Sequence, residues 1–126
     1  MTLRVGATVW GTTTATPGAV AGVTTGDQPY ILVVSKTPGT GIPAAPTGWS
    51  LVANADVTVN AGGTVTSNQG PMRVQVMRRD TLVTGGAITW PAVTTSTGTT
   101  QIIGVTPLLT APAAGEAVQE VATPGE

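Results

Sequence analysis

Residues 26–35 read GDQPYILVVS: a Gly-Asp turn, a proline, and an unbroken apolar run from Tyr30 to Val34 closed by Ser35. Such a run is rich in branched side chains that lose rotamer freedom in a helix and sit well on a pleated surface. Turn signals bound it on both sides, which predicts a strand either buried on both faces or central in a sheet. Downstream, TPGTGIPAAPTG (37–48) holds three prolines and reads as a long, stiff loop. It leads into WSLVAN (49–54), where alternation puts Trp49, Leu51 and Ala53 inward. DVTV (56–59) reads as a segment pairing nearby, and NAGGTVTSNQG (60–70) as a Gly-rich hairpin or loop.

The alternation continues in MRVQVMRR (72–79), with Met72, Val74 and Val76 on one side and Arg73, Gln75 and Met77 on the other. In TLVTGGAITWP (81–91) a turn at Gly85-Gly86 precedes a short strand ending at Trp90-Pro91. TTSTGTT (94–100) is a polar loop or edge, and QIIGVTPLL (101–109) the last good strand. Upstream, LRVGATVW (3–10) places Leu3, Val5, Ala7 and Val9 on one side of a first strand. Pro17-Gly18 marks a turn, AVAGV (19–23) a short edge strand, and TTGD (24–27) another turn. Seven or eight short antiparallel strands separated by turns predict an all-β chain: a single β-sandwich, with a barrel as the second choice.

Composition agrees with that reading and narrows the chemistry. Hydrophobic residues make up 40% of the 126 positions but aromatics only 3%, with 17 Gly, 10 Pro and no Phe. Charged residues are 9%, against roughly 25% in ordinary soluble domains. Surface charge is what normally keeps a monomer apart from its neighbours. A chain with so little of it is expected to place much of its surface against other subunits. The net charge of −1 leaves no basic footprint for nucleic acid. No apolar run reaches the roughly 20 residues of a membrane-spanning helix, and MTLRVGATVW does not read as a secretory leader.

With no Cys and no His, the sequence offers no thiol chemistry, no thiolate metal site and no imidazole base. Asp27, Asp56 and Asp80 each sit beside a turn, where aspartate caps the local backbone, and they show no calcium-loop spacing. The glycine patterns at 39–41 and 61–63 lack the following helix and lysine of a phosphate loop, and no nucleophile elbow is present. We therefore expect no enzyme, no cofactor and no metal. Arg78-Arg79-Asp80 is the densest charge cluster and reads as a salt bridge, between subunits or in solvent. The lone Lys36 reads as a surface residue. Trp10, Trp49 and Trp90 read as core or interface, with a carbohydrate platform as the rival.

Residues 1–106 are expected to form the sandwich, with 1–10 as an N-terminal arm strand. Residues 107–126 are expected to form an extended C-terminal arm. That arm carries Glu116, Glu120 and Glu126 and no basic residue, and Glu116 to Ala122 suit one or two helical turns that are marginal alone. So Pro/Ala/Gly-rich a tail is predicted to be disordered in isolation and held by another subunit.

The stretch GDQPYILVVS (26–35), the Pro/Gly loop into PTGWSLVAN (46–54), and the strand MRVQVMRR (72–79) together resemble a jelly-roll-like β-sandwich domain. That domain occurs in phage virion proteins and in some bacterial surface proteins. The resemblance implies a structural or adhesive module with no catalytic residues to carry over. On that basis the expected role is a capsid decoration protein in the virion, assembled in the host cytoplasm and reinforcing contacts between capsid subunits. Its partners would be the major capsid protein or other virion subunits, with self-association as a trimer. A tail or fibre component and a carbohydrate-binding module are the alternatives. The expected fold-signature core is Trp49, Leu51, Tyr30 and Leu32. The expected interface is Arg78, Arg79, Trp90, Leu108, Leu109, Val118 and Val121.

Overall fold

A computed structural model describes residues 2–36, 43–57, 72–95 and 102–111. Eight strands and no helix are found among these residues, and every pairing is antiparallel. The apolar run of the sequence lies in β4 (Gln28–Lys36), which takes the middle of the main sheet. One edge of β4 pairs with β8 (Ile102–Ala111) from Gln28↔Thr110 to Lys36↔Ile102. Its other edge pairs with β6 (Met72–Arg79), from Tyr30↔Arg78 to Lys36↔Met72. Beyond β6 lies β5 (Trp49–Val57), at the outside of the sheet. On the far side of β8 lie β1 (Thr2–Val5) and β2 (Val9–Gly11), which share its free edge. A separate two-stranded sheet pairs β3 (Thr14–Ala15) with β7 (Val93–Thr94).

That small sheet and the segments around it cover one face of the large one, an arrangement consistent with a β-sandwich. Ile31 and Val33 of β4, Met77 of β6, and Ile103 and Val105 of β8 pack against Ala15, Val93 and Trp49. A second cluster joins Leu109 to Val20 and Val83. We call this covered side the inner face. The burial of β4 alternates strictly: Pro29, Ile31, Val33 and Ser35 are buried, whereas Tyr30, Leu32, Val34 and Lys36 are half-buried. The central position expected of Tyr30–Ser35 is therefore present, but among the described residues a layer packs on only one of its faces. Tyr30 and Leu32 lie on the other, outer face and are not core residues.

Two turns set where the strands begin. Trp49 N–H bonds Pro46 O at 3.0 Å across a turn whose third residue, Gly48, has φ +84°. Asp27 N–H bonds Thr24 O at 3.1 Å across another, with Gly26 at φ +96°. A positive φ at that position is the signature of a type II turn and favours glycine. The first turn delivers Trp49 to the inner face, where it is buried with its ring 5.8 Å from that of Trp90.

The inward phase expected of Leu51 and Ala53 does not produce burial. Leu51 lies opposite Met77, on the inner face, yet is 47% exposed, because β5 is an edge strand that the covering layer does not reach. A bulge then separates Leu51 from Ala53, which pairs with Val76 and so moves to the outer face. The first strand is likewise broken. Gly6 N–H bonds Pro107 O, and the interruption between β1 and β2 puts Leu3 and Val5 outward but Val9 inward. Residues 19–23 and 88–91 are not strands, and Asp56-Val57 belong to β5. Residues 58–59, 60–70 and 96–101 lie outside the described residues.

The boundary expected at residue 106 falls inside a strand. β8 continues to Ala111, with Pro107 and Leu109 buried, so 107–111 belong to the sheet and not to an arm. Residues 1–10 are tied to the same chain through β1 and β2.

Met77 and Leu51 face each other across two strands, one fully buried and one half in water. Met77→Ala should cost about 2–5 kcal/mol of stability, and Leu51→Ala under about 1 kcal/mol. Urea unfolding of the two variants measures the contrast; equal losses would show that the covering layer extends over β5.

Candidate functional site

The outer face of the main sheet is built by cross-strand rows, since residues directly opposite share a face. One row runs Val5–Leu108–Tyr30–Arg78–Ser50, the next Thr106–Leu32–Val76–Ala53, and the next Trp10–Gly104–Val34–Val74. Leu3 and Thr110 extend one end, and Ile102 and Lys36 the other. Leu32, Val34, Val74, Val76 and Leu108 on this face are half-buried. Among the described residues, four of the five exposed large hydrophobic residues lie here: Trp10 at 62%, Leu3 at 59%, Val5 at 57% and Ile102 at 49%. Scattered exposed apolar residues are ordinary, whereas a contiguous apolar face is not.

Trp10 lies flat on this surface. A β-carbon placed on Gly104 would come within 2.6 Å of the indole Cζ3, so the ring rests over the glycine backbone of β8. Any larger residue there would push the indole off the sheet.

The polar groups of the face are already paired. Thr8 and Thr106 hydroxyls bond each other at 2.7 Å, and Ser50 Oγ–H donates to Asp80 at 2.5 Å at the rim. Burial pushes the Tyr30 phenol above its usual range, against the opposing influence of Arg78 and a hydrogen bond with Thr110. The charges among the face's own strand residues are Lys36 at one end and Arg78 at the other, both basic.

The predicted site residues separate into groups. Arg78 and Leu108 belong to the outer face, with Tyr30 and Leu32 between them. Arg79 lies opposite Trp49 on the inner side, and its carbonyl accepts Gln28 Nε2–H at 2.9 Å. Trp90 is half-buried and packs beside both core clusters, and Leu109 is fully buried on the inner face. Leu109 was expected outside because the apolar pair Leu108-Leu109 was read as an arm; in a strand one of two neighbours must turn inward. Val118 and Val121 lie outside the described residues. Val5, Leu3 and Ile102 are not among the expected interface residues, and Trp10, expected in core or interface, lies exposed on this face. Their signal was present in the alternation of 3–10 and 101–109, which needed the sheet order to show which side stays open.

The inner side carries a separate polar anchor. Asp27 is buried, and its carboxylate accepts Thr24 N–H at 2.8 Å and pairs with Arg4 at 2.6 Å. Arg4 also donates to Gly22 O. Backbone bonds Gly26 N–H to Val83 O and Val83 N–H to Asp27 O fasten the same turn to residue 83. The anchor therefore joins β1, the start of β4 and the covering layer. It is a structural ion pair: among the described residues no group of acidic side chains is placed to hold a metal ion.

Comparison with known protein families, with curated proteins and with solved structures finds no match for this chain.

Burial alone would raise the Asp27 carboxyl, but the hydrogen bonds and charge of Arg4 and the bonds from Thr24 outweigh it and hold the group below its ordinary 3.8. The unfolded chain thus takes up this proton first on acidification. The stabilisation is complete above the ordinary value and is lost as pH falls below it. Asp27→Asn should cost roughly 2 kcal/mol at neutral pH, less than a fully buried pair because Arg4 stays partly in water. The variant should also flatten the fall in stability below pH ~4. Denaturant midpoints from pH 2 to 7 test this, and an unchanged acid slope would exclude Asp27 as its source.

Proposed function

We propose that this chain is a virion structural protein, a capsid decoration protein that docks on the outer shell of a phage particle through the outer face of its main sheet. The supporting observation is that face: apolar, internally satisfied in its polar groups, and left open on a chain with few charges. Five strands at ~4.8 Å spacing and about eight residues at ~3.3 Å give it on the order of 600 Å². That is at the top of the range for exposed apolar patches on monomers. It is also most of the ~800 Å² that each partner contributes to a stable interface. The jelly-roll-like sandwich of virion proteins, to which the sequence stretches 26–35, 46–54 and 72–79 are similar, belongs to the same proposal. Docking would remove apolar area from water and clamp neighbouring capsid subunits, with no reaction involved.

Charges placed on this face should abolish docking without unfolding the chain. Val5 and Ile102 are both about half exposed, so Val5→Asp with Ile102→Asp should change stability by no more than about 1 kcal/mol in total. Each buries a charge in the proposed interface, so binding should fall by at least tenfold in co-sedimentation with undecorated shells. Retained binding by a folded double variant would sink the docking face.

A second reading rests on one specific observation, the exposed indole of Trp10 lying flat on the sheet. Flat sugar faces stack on such rings, and of the three tryptophans this is the one that water reaches most fully. Trp49 is buried, with its ring 5.8 Å from that of Trp90. A glycan array with Trp10→Ala as control separates this reading from shell docking.

A further inference from the structure

Arg78 and Arg79 end β6, and the strand turns them to opposite faces. Arg78 joins the outer face, whereas Arg79 lies on the inner side, directly opposite Trp49 and within reach of its ring. Arg79 is half-buried, and its Nη1 is enclosed by the protein without a hydrogen-bond partner. A cationic donor out of water and unpaired is costly. The group that best matches the planar fork of a guanidinium is a carboxylate. Two acids of this chain are engaged elsewhere: Asp27 pairs with Arg4, and Asp80 accepts from Ser50 in the outer row.

The backbone around this arginine is held in place. Gln28 Nε2–H donates to the Arg79 carbonyl at 2.9 Å. Asp80 N–H donates to Gly48 O at 2.9 Å, which ties the end of β6 to the start of β5. Groups positioned before binding lose less freedom when a ligand arrives. On the same face Leu51 is 47% exposed, at the edge strand where the covering layer stops. Leu51 pairs with Met77, two residues before Arg79, so Leu51 and Arg79 are diagonal neighbours ~7–8 Å apart. In an extended chain, side chains two residues apart share one side at a separation of ~6.6 Å. An apolar residue and an acid at that spacing therefore match Leu51 and Arg79 together.

We propose that the inner face at the β5 edge is a second docking site, which takes an extended segment of a partner protein. The acid of that segment pairs with the Arg79 guanidinium, and its apolar residue, two positions away, covers Leu51. The site is separate from the outer face and does not rest on what docks there. It gives the chain a contact in a second direction.

Acetyl-Leu-Thr-Glu-amide carries the pattern in its shortest form. Titrated into the isotope-enriched full-length chain, it should shift the Arg79 Nε–H and Trp49 indole N–H signals saturably, with the Trp10 indole unmoved. Acetyl-Leu-Thr-Gln-amide, which lacks the charge, should bind about tenfold more weakly. Arg79→Gln should remove the response, while Arg78→Gln, on the outer face, should leave it. The methyl shifts of Val83 and Val93 report whether each variant is folded. No saturable shift with the acidic peptide, equal affinity for its Gln analogue, or a response that survives Arg79→Gln would overturn the proposal. Shifts centred on Trp10 would place the peptide on the outer face and overturn it equally. If Arg79→Gln does not fold, Leu51→Ser, at an exposed position, should weaken the acidic peptide roughly threefold or more. Unchanged affinity in that folded variant would also sink the site.

Discussion

The whole molecule depends on β4 being hydrogen-bonded along both edges. Its partners, β8 and β6, come from distant parts of the sequence, so the ladder closes long loops before any of its contacts is gained. What repays that cost is the inner face, where Pro29, Ile31, Val33 and Ser35 of β4 meet their neighbours in β8 and β6 and the layer that covers them. Because side chains alternate, a shift of one residue would expose Ile31 and Val33 and bury Lys36. The register is therefore held from both ends. At the start, the Asp27 turn is bonded to Arg4 and to residue 83. On the neighbouring strand, Gln75 is buried and donates from Nε2 to Pro43 O at 3.0 Å, tying the loop before Trp49 to the middle of the sheet.

Covering one face leaves the other open. The covering layer is made from short segments and a two-stranded sheet, enough for one side only. Leu32, Val34 and Val76 are half-buried on that side, where no strand of the described residues packs over them. A solvated sheet face ordinarily alternates to polar residues. Here the alternation of β4 and β8 gives apolar residues on both sides, the pattern of strands covered on both faces.

That pattern explains how much could be read from the residues alone. Tyr30–Val34 announced a central strand, and the turns at Thr24–Asp27 and Pro46–Trp49 announced where β4 and β5 begin, because both signals are local in sequence. The side of each strand that would be covered is not local. Leu51 has the phase of Trp49 yet is exposed, since its strand is at the edge. Ala53 changes face through a bulge that no residue type marks. In 72–79 the alternation was legible, but the fully buried positions are Gln75 and Met77 and not the more apolar row Val74 and Val76. Hydrophobicity ranks the two sides the wrong way because both are apolar enough to be covered. The same ambiguity hid the candidate site: Leu3, Val5, Trp10 and Ile102 look like core residues until the order of the strands is known.

The outer face is arranged so that covering it costs little. An interface is weakened chiefly by polar groups that lose water and gain no partner. On this face the threonine pair Thr8–Thr106 and the Ser50–Asp80 pair bond each other, and Thr110 Oγ1–H donates to Gln28 O at 3.5 Å. Backbone amides between paired strands are engaged in the ladder, and glycine at 104 lets the Trp10 indole rest over β8. What remains to be desolvated is apolar, apart from two cations set at opposite ends of the face. Charges in that position add little to the strength of a complex but steer the approach of an acidic partner and fix its orientation. An apolar centre with basic ends selects an occupant that is apolar along its middle and acidic at its margins, and it excludes a second copy of the same face, whose ends would carry the same sign.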